Sequence, residues 1–239
     1  MEDITSTLSQ AQISSDVGNQ VFPFFSLPSE LRSKILLYHI GKPCIIDLDP
    51  SNYYAGRRRL NLFLTSHRMH DEASHLFYSA HTFRIFPTHG RFLAPRTLPL
   101  LVRLPRKYRE ALVTLELRLG PGWNSPPKSW WVDSSLGLEE MQNVRTLNVF
   151  VEIDPSHNVF KGFRIGKDFF TDFGAHLLSE VIRRLPNLQQ VRFDAWPSVM
   201  RRGPLMERLL HVAMKSNVNI INTLPCNETG IASPEYGEL

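Results

Sequence analysis

Residues 112–117, Leu-Val-Thr-Leu-Glu-Leu, place apolar side chains at positions i, i+3 and i+5. The same spacing recurs in residues 144–149, Val-Arg-Thr-Leu-Asn-Val, and in residues 188–193, Leu-Gln-Gln-Val-Arg-Phe. Each segment is short and is followed by a stretch with helical periodicity, as expected for a strand that leads into a helix. The three segments therefore predict three units, each built from one strand and one helix.

The predicted helices of these units cover residues 136–142, 168–185 and 204–215. Strands that alternate with helices favour parallel pairing through crossover connections. The strand pattern is also typical of leucine-rich repeats, although the interval between units is not constant and no ladder of asparagines accompanies it. We therefore predict a small α/β layer of about four strands, with irregular leucine-rich-repeat-like units.

The N-terminal part of the chain has a different, helical rhythm. Pro28 suits the first position of a helix, where its missing N–H costs nothing. Leu31, Ile35 and Tyr38 follow at i, i+4 and i+7 and define an apolar face, which Leu36 widens. Glycine and proline at positions 41 and 43 end this helix.

Further elements are predicted between this helix and the repeated units. Residues 60–78 form an amphipathic helix, and residues 98–110 form a helix interrupted at Pro105. Short apolar or alternating runs at residues 44–48 and 82–86 predict strands.

The N-terminal segments contain four short motifs. Residues 27–31 read Leu-Pro-Ser-Glu-Leu, and residues 62–73 read LFLTSHRMHDEA. Leu-Phe-Tyr at residues 76–78 and Thr-Phe-Arg-Ile at residues 82–85 follow them in the chain. In this order the motifs resemble those of the F-box-like proteins of filamentous fungi. The resemblance covers about a quarter of the chain, from Phe22 to Phe86.

This resemblance implies a protein that holds other proteins. An F-box lays an apolar helix face against the Skp adaptor of a cullin–RING ubiquitin ligase, while the following domain holds a client. The residues that would make this contact are Leu27, Pro28, Leu31, Ile35 and Leu36. The alternative is a structural scaffold with no ligase link, in which the same residues only fill the core.

Together these patterns predict an α+β chain with four parts. Residues 1–20 are expected to be disordered, and residues 21–86 to form an F-box-like helical module. Residues 87–222 form the α/β layer, and residues 223–239 form a mobile tail.

Composition narrows the class of protein. Hydrophobic residues make up 42% of the 239 residues, which is typical of a folded globular chain. No run approaches the ~20 apolar residues that span a bilayer, and the N-terminus does not resemble a signal peptide. Cys44 and Cys226 exclude a framework of several disulfides or a zinc site of several cysteines. We therefore expect a location in the cytoplasm or nucleus and no contact with a membrane.

Residues with catalytic or metal-binding chemistry do not form a recognisable motif. The densest set of metal-ligand types comprises His67, His70, Asp71 and His75, and we interpret it as a solvated helix face. No nucleophile elbow, phosphate-binding loop or dinucleotide turn occurs in the sequence. We predict no catalytic residue, no metal, no cofactor and no enzyme activity; an enzyme with an uncommon site is the rival hypothesis.

Two other surfaces have weaker sequence signals. The net charge is +4, and the clustered arginines at residues 57–59 and 201–202 could contact phosphate groups, although we expect no nucleic-acid partner. The pairs Trp130-Trp131 and Trp196-Pro197 could form an aromatic contact surface, because interface cores favour tryptophan. We favour a packing role for them.

Overall fold

The computed structural model describes residues 22–47, 60–88, 98–120, 130–155 and 168–222. The N-terminal segment predicted to be disordered, the arginine triplet at residues 57–59 and the tail predicted to be mobile all lie outside these ranges. None of the described helices is long and apolar enough to span a bilayer.

The described chain contains six α-helices and six strands. The helices are α1 (Ser29–Ile40), α2 (His67–Ala80), α3 (Leu100–Arg103), α4 (Arg106–Ala111), α5 (Phe169–Arg184) and α6 (Pro204–Met214). The strands are β1 (Ile45–Ile46), β2 (Thr82–Arg84), β3 (Thr114–Leu119), β4 (Thr146–Val151), β5 (Gln190–Ala195) and β6 (Asn219–Asn222).

The six strands form one sheet in which every neighbouring pair is parallel. Their order in the sheet is the same as their order in the chain. Leu115, Leu147 and Val191 are partners in the register, so the repeated sequence pattern marks equivalent positions of β3, β4 and β5. The predicted parallel α/β layer is confirmed at this level, with six strands in place of about four.

The core is built on one face of the sheet. Leu117, Val149 and Phe193 form a second buried row beside the first, and they belong to one core cluster with helix residues such as Leu178 and Leu209. Right-handed crossovers that always step in the same direction place their helices on the same face of a sheet. Burial therefore alternates along β5, and Arg192 and Asp194 on the other face are exposed.

The sheet extends across the predicted boundary at residue 86. β1 and β2 come from the segment predicted as a helical module, yet β2 pairs with β3 through the register Phe83 to Leu115. The module and the α/β region thus share one sheet. β6 was not predicted, because only two apolar residues stand between its terminal asparagines.

Two predicted helices are divided by local hydrogen bonding. The helix predicted over residues 60–78 is a 3₁₀ turn at Asn61–Leu64 followed by α2. Ser66 separates them because its hydroxyl accepts a hydrogen bond from the Met69 N–H at 3.2 Å and caps α2. The helix predicted over residues 136–142 is likewise two 3₁₀ turns, which meet at Gly137.

Both the backbone conformation and a close neighbour require glycine at position 137. Its φ of 64° is left-handed, and a Cβ there would lie 2.7 Å from Nε of Arg109. A side chain at this position would therefore be strained and would also displace the arginine.

A buried ion network crosses β1 to β3 on the face away from the core rows. Arg84 Nε donates to Glu116 Oε1 at 2.8 Å, and Arg84 Nη1 donates to the Asp47 carboxylate. All three side chains are almost completely buried. Removing one member of such a network leaves an uncompensated charge, which costs more than the pair contributes.

We expect Arg84→Met to lower the free energy of unfolding by about 3–5 kcal/mol, because Asp47 and Glu116 would lose their shared guanidinium group. Arg118→Met is the matched control, since the side chains of its 2.8 Å ion pair with Glu152 are 25% and 27% exposed; we expect a loss of about 1 kcal/mol. Urea unfolding of both variants measures the difference, and equal losses would show that burial of the Arg84 network does not matter.

Candidate protein-interaction surface

Helix α1 is apolar on two sides. Leu36 and Ile40 are buried in the core, with 2% and 0% of their surface exposed. Leu31, Ile35 and Tyr38 are 46%, 47% and 92% exposed. At 100° per residue these three side chains fall within an arc of about 60° on the side away from Leu36. We call this exposed stripe of Leu31, Ile35 and Tyr38 the α1 ridge.

The structure separates the five residues predicted to contact a partner. Pro28, Leu31 and Ile35 are exposed, and Leu27 is half-buried. Leu36 is buried and packs in the core, so it cannot serve as a contact residue in this conformation. The reason is geometric: Leu36 lies about 100° around the helix from Ile35.

Tyr38 belongs to the surface although it was not among the predicted contact residues. Its i+7 spacing from Leu31 was visible in the sequence, but spacing alone does not show which of two apolar sides of a helix is buried.

An ion pair with α2 fixes the orientation of α1. Arg32 donates from Nε and Nη2 to the two carboxylate oxygens of Glu72, at 2.8 and 3.0 Å. Arg68 adds a third bond to Glu72 at 3.2 Å, and its guanidinium lies 4.6 Å from the centre of the Phe25 ring. Since Arg32 is next to the Leu36 side of the helix, this bidentate pair holds the α1 ridge away from α2.

The same contacts perturb the acidity of Glu72. The hydrogen bonds from Arg32 lower the pKa of Glu72, and burial opposes the shift. A carboxyl group with a lowered pKa stabilises the fold above the ordinary glutamate range, and that contribution is lost as the pH falls through the folded-state pKa. The α1–α2 contact should therefore be intact at neutral pH and weaken in acid.

The histidine-rich face of α2 is partly engaged by α4. His70 Nδ1 lies 3.0 Å from the Phe63 carbonyl oxygen, and His70 Nε2 lies 2.6 Å from the Tyr108 hydroxyl. Asp71 accepts a hydrogen bond from Lys107. His67 and His75 are exposed. Within the described ranges, no three histidine, cysteine, aspartate or glutamate side chains are arranged to hold a metal ion.

Tyrosine stacking supports this α2–α4 contact. The rings of Tyr78 and Tyr108 stack at a centroid distance of 4.6 Å. Burial raises the pKa of Tyr78 to about 12, so its hydroxyl stays protonated at neutral pH. The helices below the α1 ridge thus form a packed support.

Three acidic residues that lie close together in the sequence, at positions 133, 139 and 140, have separate partners. Glu139 binds Arg184 at 2.6 Å, whereas Glu140 binds Arg109 at 2.7 Å. Asp133 accepts a hydrogen bond from the Ser135 N–H, at the start of a 3₁₀ turn. These carboxylates therefore support the local fold and do not converge on one point.

The tryptophan pairs contain both buried and exposed rings. Trp130 is buried and stacks on Phe86 at a centroid distance of 5.3 Å. Trp131 and Trp196 are exposed. The packing role that we favoured fits Trp130, and the exposed rings leave the contact interpretation open for Trp131 and Trp196.

Comparison of the chain with protein-family models, with curated proteins and with solved structures found no match. Function is therefore inferred from the residues of this chain and their geometry.

We expect Leu31→Asp to change the free energy of unfolding by less than about 1 kcal/mol, because the side chain is already half in water. Leu36→Ala, five positions further along α1, should cost about 2–5 kcal/mol because it opens a cavity in the core. Urea unfolding followed by circular dichroism compares the two. Unfolding of the chain by Leu31→Asp would favour the scaffold alternative.

We expect Glu72→Gln to lower the free energy of unfolding by about 1 kcal/mol at pH 7, through loss of the charged bond to Arg32. The difference from wild type should shrink as the pH falls through the lowered folded-state pKa of Glu72, because the wild-type carboxyl group then becomes protonated as well. Glu110→Gln is the control, because its ion pair with Arg106 is more exposed. A difference that is independent of pH would contradict the proposed role of the Glu72 charge.

Proposed function

We propose that this chain is a non-enzymatic protein-interaction protein that acts as a substrate receptor of a cullin–RING ubiquitin ligase. The observation that carries the proposal is the α1 ridge, an exposed apolar stripe on the helix whose sequence resembles the start of an F-box. The ridge would bind the Skp adaptor, and the sheet-and-helix layer behind it would hold the client. Such a receptor would work in the cytoplasm or nucleus.

The physical basis is recognition of a helix by an apolar groove. Complete burial of an exposed leucine or isoleucine side chain contributes about 1.5–3 kcal/mol. Leu31 and Ile35 are about half exposed, so each would contribute about half of that on docking. Tyr38 adds a nearly fully exposed ring, of the kind enriched at interface hot spots. Affinity beyond this would have to come from the rim, where Pro28, Lys34 and His39 are exposed.

Support for presentation of the ridge comes from the way α1 is held. Its opposite side is anchored twice, by Leu36 and Ile40 in the core and by Arg32 on Glu72. A helix that is fixed in this way loses little conformational entropy when a partner binds. The preorganised ridge is therefore suited to docking without rearrangement of the fold.

The alternative function is a structural scaffold with no ligase link. It is favoured by the continuity of the sheet across residue 86, because a detachable adaptor-binding module would not need to share strands with the next region. In that case α1 serves only to bury Leu36 and Ile40 in the core. Leu31, Ile35 and Tyr38 are then ordinary exposed apolar residues of the surface.

We expect wild-type protein to retain purified Skp adaptor in a pull-down, and we expect Leu31→Asp and Ile35→Asp to abolish retention, since each places a charge in an apolar contact. Met214→Asp is the matched control, because Met214 is a similarly exposed apolar residue on α6. Circular dichroism should show that all three variants are folded. Failure of wild type to bind, or equal binding by wild type and the ridge variants, would reject the adaptor role.

A further inference from the structure

A second exposed surface forms where β4 and β5 end. Trp196 follows β5, and its N–H donates to the Val151 carbonyl at the end of β4. Two successive turns then lead to α6, closed by hydrogen bonds from Val199 to Trp196 and from Gly203 to Met200. The carboxyl ends of two neighbouring parallel strands therefore place their following loops side by side.

The two loops touch at Gly203. A Cβ on this glycine would lie 3.2 Å from the Asp154 carboxylate and 3.0 Å from the Met200 carbonyl oxygen. Asp154 is buried there, while its neighbour Ile153 is exposed. The loop after β4 is thus packed against the start of α6, and Ile153 lies in the loop that borders residues 196–203. We call the surface formed by Ile153, Trp196, Met200, Arg201 and Arg202 the β4–β5 rim.

Three apolar side chains of the rim are exposed to solvent. Trp196 is 51% exposed and Met200 is 55% exposed, and Ile153 is partly exposed beside them. The Trp196 ring contacts the Phe150 ring in an edge-to-face arrangement, at a centroid distance of 6.4 Å. Tryptophan and methionine are enriched in the cores of protein interfaces. A supported but exposed tryptophan is a suitable anchor for a partner.

The charged groups of the rim are mostly positive. Arg201 and Arg202 form no ion pair with any residue of the described ranges, and neither does Arg192 on β5. In addition, Nη2 of Arg201 is buried and has no hydrogen-bond acceptor among those residues. Ten other arginine and lysine side chains of this part of the chain do have acidic partners.

Few of the acidic groups near the rim are exposed to solvent. Glu152 is paired with Arg118 at 2.8 Å, and Asp154 is buried. Asp194 is exposed, and one of its oxygens accepts a hydrogen bond from the Ala195 N–H. Arg201 and Arg202, which have no ionic partner among the residues that the structure describes, thus stand beside one exposed aspartate.

We propose that the β4–β5 rim binds an acidic segment of another protein that also carries aromatic or aliphatic side chains. Carboxylates of the segment would pair with Arg201 and Arg202, since guanidinium groups match carboxylates in bidentate geometry. Its apolar side chains would cover Trp196, Met200 and Ile153. The inference extends the proposed function by giving the chemistry of the client, but it does not require the adaptor to bind.

A protein segment fits this surface better than a nucleic acid. Backbone phosphates would satisfy the arginines, and a base could stack on Trp196. They would leave Ile153 and Met200 without an apolar partner. The apolar side chains of the rim therefore favour a peptide as the ligand. Nucleic-acid binding is the competing outcome of the test.

The probe is a displayed library of random linear peptides, selected on the immobilised full chain. We expect the enriched peptides to be rich in aspartate and glutamate and to contain phenylalanine, tryptophan or leucine. The binding of one enriched peptide is then measured by fluorescence anisotropy, without any adaptor. Its affinity should fall as salt is added, because the ionic part of the contact is screened.

Substitutions in the rim test whether the selected peptide binds there. The double variant Arg201→Glu, Arg202→Glu should weaken the selected peptide at least about tenfold, and Trp196→Ala should do the same. The pair Arg201→Gln, Arg202→Gln removes charge without reversing it and provides the test if the first variant does not fold. Arg103→Glu is the matched control, because Arg103 is also exposed and unpaired within the described ranges; it should leave the affinity unchanged.

Several results would overturn the inference. These are no enrichment over the unselected library, enriched peptides without an acidic excess, and rim variants that bind as wild type does. Displacement of the peptide by a single-stranded oligonucleotide of equal or higher affinity would assign the rim to nucleic acid. Because the adaptor is not present, failure here and failure of the Skp pull-down can be distinguished.

Discussion

The parallel register of β2 to β5 fixes the position of the other elements. It aligns Leu115, Leu147 and Val191 in one buried row and Leu117, Val149 and Phe193 in the next. Because the strands are added in chain order, each connection returns across the same face of the sheet. The helices must then share that face, and the loops after the strands must share one edge. Both candidate surfaces depend on this arrangement.

Helix α1 shows how one element can serve the core and still present an apolar surface. Its buried side is held by Leu36, Ile40 and the pairing of Arg32 with Glu72. Since these anchors lie within about 100° of the helix circumference, they leave the opposite side free of structural demands. The second apolar stripe there leaves about half of Leu31 and Ile35 and nearly all of Tyr38 exposed. This exposed apolar area is what gives the α1 ridge its functional interest.

Sequence periodicity predicted the existence and type of most elements, because buried rows impose period two on strands and period 3.6 on helices. It predicted the parallel sheet, but the helix expected over residues 136–142 is two 3₁₀ turns. It did not predict β6, whose two isoleucines are too short a signal. It also could not divide the apolar residues of α1 between core and surface, and so Leu36 was grouped with Leu31. That division depends on where α2 packs, which follows from the contact between residues 32 and 72, forty positions apart. The β4–β5 rim could not be predicted from the sequence either, since Ile153 and Arg201 are brought together only by the register of two strands.

The separation of the two surfaces in the sheet bears on how they could be used together. The α1 ridge lies on the helix that leads directly into β1, one edge of the sheet, whereas the β4–β5 rim follows the fourth and fifth strands. Neighbouring strands lie about 4.8 Å apart, so β1 and β5 are separated by about 19 Å. The ridge and the rim therefore lie on different parts of the chain, and the two proposed contacts share no residue. A protein that joins an adaptor to a client requires this kind of separation, because competition between the two partners would prevent the bridge from forming.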